Sequence, residues 1–152
     1  MRILRSIIAV IAAYIVMAVL GMGLFFGLVL VLGKERIYEA GTFRSTLTVN
    51  VFALIFSVVI ALVGGLVCVR IARSRTPVIV LAGLVLILGI GEALVNMRKP
   101  DPGPRPADMP LTEAVSHGKE PNWLALLNPL IGAAGVLWGG RLRARPDHVS
   151  PT

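Results

Sequence analysis

Residues 46–69 read TLTVNVFALIFSVVIALVGGLVCV, 24 residues with no formal charge. A bilayer hydrocarbon core of roughly 30 Å takes about 20 apolar residues in helical form, at about 1.5 Å per residue. The stretch is therefore long enough to cross, and nothing in it opposes insertion. Three others share its character: Ser6–Leu32, Pro77–Met97 and Asn122–Gly140, and Glu92 is the sole formal charge within the four. Hydrophobic residues make up 56% of the chain and the mean hydropathy is +0.83. A soluble core of 152 residues could not bury four such helices. The chain reads as an all-α integral membrane protein with four transmembrane helices, spans about 6–32, 46–69, 77–97 and 122–140, arranged as two helical hairpins. They form one domain, residues 1–143. A proline-rich loop, 98–121, with a short helix expected from Pro110 to His117, joins the last two spans, and a short disordered tail, 144–152, follows the fourth.

Within residues 46–69 the small or polar side chains fall at Asn50, Ala53, Ser57, Ala61, Gly64 and Cys68. Steps of three and four place them on one helical face. The fourth span repeats the pattern with Ala125, Asn128, Gly132, Gly135 and Gly139, and the first with Ser6, Ala9, Ala13, Met17 and Gly21. Gly23 and Gly27 form a separate pair on another face of the first span. Lipid gives helices little hydrophobic reason to associate, so close packing and interhelical hydrogen bonds hold them together, and small residues mark the contact faces. Ser57, Ala61, Gly64, Gly132, Gly135 and Gly139 are the expected helix-packing positions.

The net charge is +7, yet the basic residues flank the spans and form no patch with interleaved aromatics. They read as topology signals facing the lipid bilayer, and nucleic acid is not an expected partner. Arg2, Arg5, Arg70, Arg73, Arg75, Arg141, Arg143 and Arg145 share one side with a single acid, Asp147. Seven bases on the other side are diluted by six acids over two loops. Short, dense, membrane-adjacent clusters weigh most in the positive-inside rule, so both termini are expected in the cytoplasm. Arg2 and Arg5 precede an apolar run much longer than a cleavable signal core, which reads as an uncleaved signal anchor. The preference for Arg over Lys, with abundant Ala, Gly, Leu and Val, suggests a bacterial protein of the cell (inner) membrane.

Three spans place a polar residue at a similar depth. Asn50, Glu92 and Asn128 each lie five or six residues inside the same membrane boundary, roughly 7–9 Å in. Asn96 is one turn outward on the face of Glu92. An acid inside a span is costly and marks a functional candidate; the alternative is hydrogen-bonded glue between helices. Pro129 removes a backbone donor after Asn128 and is a candidate hinge.

The single cysteine, Cys68, rules out an intrachain disulfide and a cysteine-based metal cluster. His117 and His148 have no ligand spacing, and no nucleophile–base pair or phosphate-cradling loop is present. No enzymatic activity, metal or cofactor is expected. What remains is a non-enzymatic accessory or assembly subunit that associates with itself or with another membrane protein. The alternative is a small homo-oligomeric transporter or channel built on the polar layer around Glu92. The architecture is similar to that of small four-helix multidrug exporters, which carry a glutamate in their first helix. Here the intramembrane acid is in the third, so the likeness stops short of membership.

Overall fold

The computed structural model describes residues 2–100, 103, 104, 106, 110, 113 and 117–142. The expected tail and most of the expected helix at Pro110–His117 lie outside these. Four long helices carry the fold: α1 (Arg2–Leu32), α3 (Leu47–Ala72), α4 (Thr76–Arg98) and α5 (Asn122–Arg141), with a single turn, α2 (Lys34–Ile37), after the first. All four long helices are long and apolar enough to cross a membrane. Among the described residues there is no strand, only two isolated bridges.

The helices run past the apolar runs that reveal them. α1 begins at Arg2 instead of Ser6, and α3 continues through Arg70 to Ala72 instead of ending at Val69. A charge ends an apolar run but not a helix, because Arg can lay its stem along apolar surface while its head reaches the interface. Arg5 uses that position: its Nε donates to the carbonyl of Ile71 at 2.7 Å, tying the start of α1 to the end of α3. Thr46 caps α3 by accepting from the Val49 amide. Pro77 opens α4 in its first turn, where a missing amide hydrogen is harmless.

Arg73 closes α3 in a left-handed conformation (φ 55°, ψ 28°), its amide bonded to the carbonyl of Val69. This conformation costs an ordinary side chain about 1 kcal/mol and glycine almost nothing. Arg73→Gly is expected to raise stability by up to about 1 kcal/mol, read as a higher Tm in detergent. An arginine kept there despite strain is in keeping with a charge needed at that boundary.

Packing runs in the order α1, α3, α5, α4, whereas α1 and α3 barely touch α4. Gly64 on α3 lies against Met17 and Gly21 against Ile60, so α1 and α3 are antiparallel. Gly135 meets Ala61 and Gly139 meets Leu62, so α3 and α5 run parallel. Gly89 meets Pro129 and Gly140 meets Val78, so α4 and α5 are antiparallel. Ala9, Ala13, Ala61, Cys68, Val78, Leu81 and Val136 make the main core, near the end that carries the N-terminus.

The connection between α1 and α3 is more than the short polar loop its charges suggest. Ile37, Tyr38 and Phe43 are buried with Leu28 and Val49. The turn is closed by Tyr38 bridging Ser45, with the Glu39 amide on the Arg44 carbonyl at 2.9 Å. Gly33 and Gly41 supply the left-handed backbone (φ 72° and 71°) that the folded cap requires. The second long connection fastens onto it through the Lys119 amide, which donates to the Phe43 carbonyl at 3.1 Å.

Candidate functional site

At the N-terminal end all four long helices share the main core. Toward the α2 end, α1 stays with α3 and the folded cap, while α4 stays with α5. Between the two pairs lies a cleft of about 800 Å³. It runs along α4 from Lys99 to Val85, about 20 Å of helix. Its volume falls in the range of pockets that hold small molecules.

Asn50, Glu92, Asn96 and Asn128 all line this cleft, together with Ser57 and Pro129. Three helices thus bring the four polar residues to one space, but not into one network. Asn50 is buried and pairs locally: the Ser45 hydroxyl donates to its Oδ1 at 2.6 Å. Asn96 donates through Nδ2 to the main-chain carbonyl of Glu120 at 3.1 Å. The Oδ1 of Asn128 is buried with no hydrogen-bond partner. Glu92 is exposed within the cleft. Pro129 is buried, its ring seated on Gly89, where an added Cβ would come within 2.8 Å of it.

Two charged residues at the rim join them. Lys99 and Glu120 line the cleft, and Glu120 was legible in the sequence only as a loop acid. Its carboxyl is pushed above the ordinary glutamate range, first by the crowding of the cleft wall and then by the negative charge of Glu92, with Lys99 opposing in part. A raised folded-state pKa means that the unfolded chain loses this proton first as pH rises. Stability from this group is therefore full below the ordinary glutamate value and declines as pH climbs toward the raised one. Glu120→Gln is expected to flatten that part of the stability–pH curve, measured by thermal denaturation across pH 4–7.

The helix-packing positions divide. Ala61, Gly64, Gly132, Gly135 and Gly139 are buried. A Cβ on Gly135 would sit 2.7 Å from that of Ala61, and one on Gly132 would sit 3.2 Å from Val85. Ser57 is half-buried and faces the cleft. Gly65, outside the periodic stripe, makes the tighter approach: its Cβ would strike the backbone of Val136 and Gly140. The adjacent glycine pair was the signal for it.

No protein-family model matches the chain, and no curated protein or solved structure matches it.

Proposed function

We propose that the protein is a non-enzymatic accessory or assembly subunit of the cell membrane, with both termini in the cytoplasm and its four spans inserted as two hairpins. A transmembrane helix of another chain, a second copy or a different membrane protein, docks on α1. The observation that carries this reading is the unfilled glycine pair on that helix. Gly64, Gly65, Gly89, Gly135, Gly139 and Gly140 each lie where a Cβ would meet another helix closer than 3 Å. Gly23 and Gly27 meet nothing within 4 Å, as do Gly83 and Gly91 of α4, but only Gly23 and Gly27 lie one turn apart. Small residues at this spacing let helices approach closely, and here no helix of the same chain does so.

The test is favourable because a Cβ at either position meets nothing within 4 Å. The double variant Gly23→Leu, Gly27→Leu is expected to fold with an unchanged Tm and to lose its partner, seen as a lower native mass in mild detergent. An unchanged mass would sink the reading. Sidedness is tested separately with single cysteines in a Cys68→Ala background: Glu113→Cys is expected to label from outside intact cells, and Ser74→Cys only after permeabilisation.

The cleft favours a second reading, a small homo-oligomeric transporter or channel, because it exposes Glu92 within the thickness of the bundle. In that case Glu92→Gln abolishes flux in reconstituted vesicles while the protein still inserts.

A further inference from the structure

The cleft is graded along its depth. Its mouth carries Glu120 and Lys99, Glu92 lies about two turns in, and Met17 and Val85 line its inner end. One leaflet of a bilayer has the same gradient, charged at the surface and apolar within. We propose that the cleft holds a phospholipid with a primary-amine headgroup, the ammonium among Glu92, Glu120 and Asn128 and an acyl chain running down between α1 and α4. This goes beyond the assembly reading and rests on a different part of the molecule.

Three observations select this occupant. The first is charge: Glu92 and Glu120 both line the cleft, and a single cation between them is attracted to both carboxylates. The second is hydrogen-bond sense. Glu92 and Glu120 in their ionised forms only accept. The Asn128 Oδ1 is a buried acceptor with no donor, and an acceptor left so favours a group that satisfies it. A primary ammonium brings three N–H donors; a quaternary ammonium brings none. The third is the balance of the site. Lys99 shares the cleft with the acids, and the Lys119 ammonium donates to the Lys99 carbonyl at 3.2 Å. Bases beside acids suit a headgroup that carries phosphate next to its amine.

Asn128 is placed for this role by the packing below it. Gly89 receives the ring of Pro129. Glu92 lies one turn further along α4 and Asn128 one residue before Pro129, on antiparallel helices, so both face the cleft at neighbouring levels.

The experiment is native mass spectrometry of the full chain in mild detergent, titrated with phosphatidylethanolamine or phosphatidylcholine of identical acyl chains. The expected result is one bound phosphatidylethanolamine at an apparent Kd about tenfold below that of phosphatidylcholine, the factor that one good charge-assisted contact supplies. Glu92→Gln is expected to bring the two lipids level, and Leu88→Trp, which fills the cleft wall, to lose both. Free phosphoethanolamine is expected to compete at least tenfold less well than the whole lipid. Equal binding of the two lipids by the unaltered protein overturns the headgroup assignment, and full competition by the free headgroup overturns the place of the acyl chain. A photocrosslinker at position 88 in native membranes is expected to capture lipid; capture of a polypeptide instead overturns the proposal. Failure here leaves the native mass of the Gly23, Gly27 variant unaffected, so the two readings fail independently.

Discussion

Alanine at Gly139 is expected to destabilise the protein by about 3 kcal/mol, the upper range for forcing a methyl group into a packed interior. The reason is what the methyl would meet. Its nearest neighbours are backbone atoms of Leu62, the α carbon at 3.0 Å and the carbonyl atoms closer still. A side chain could rotate away; a helix backbone cannot, so α3 and α5 would have to separate along their length. Gly65→Ala opposes the same seam from the other side, against the backbone of Val136 and Gly140, and is expected to behave alike. Gly23→Ala, with open space around it, is expected to leave stability unchanged. Unfolding of the three variants by sodium dodecyl sulfate in mixed micelles compares them directly. Equal stability of Gly139→Ala and Gly23→Ala would mean that the α3–α5 contact is not the close approach described.

Leu81→Ala is expected to lower stability by about 2 kcal/mol, at the bottom of the range found for such truncations in water-soluble cores. Leu81 is fully buried among the four long helices. In a soluble protein its truncation loses both transfer from water and packing. In a membrane the separated helices remain in lipid, so the transfer contribution is small and the cavity left behind dominates. Ile87, 71% exposed on the same helix, offers the comparison: Ile87→Ala is expected to change stability by less than about 0.5 kcal/mol. The same micelle titration reads both.

The four spans were legible because hydropathy over 20 residues depends on composition and not on neighbours. Their ends were less so, as Arg2 and Arg70 lie inside helices that an apolar count stops short of. The face of each helix was also readable, since a period of three and four survives in the letters. The partner of each face was not: the stripe at Ala61 and Gly64 does not say that one meets α5 and the other α1. For this reason the shared depth of Asn50, Glu92 and Asn128 was visible while the cleft they line was not. Ile37, Tyr38 and Phe43 gave a signal that charge counting concealed, because a loop with Lys, Glu and Arg reads as polar although its apolar residues are the ones that fold it. Glu120 gained its place from the way Lys119 is pinned to Phe43 and its own carbonyl to Asn96.

This also changes where assembly should be probed. A bulky residue at Gly132 would strike Val85 within the same chain, so loss of a complex there would report misfolding. Gly23 and Gly27 of α1 have no such neighbour.

The parallel seam between α3 and α5 bears on how the protein is made. Gly65 is translated long before Val136, and α4 emerges between them with few contacts to offer α3. Until α5 arrives, Gly65 of α3 lacks the helix it packs against, and α4 lacks its principal neighbour. α5 is the keystone for the two long helices before it. A ribosome stalled before residue 122 therefore leaves α1 packed on α3 but α4 without its main neighbour, a substrate for membrane quality control instead of a three-helix version of the protein.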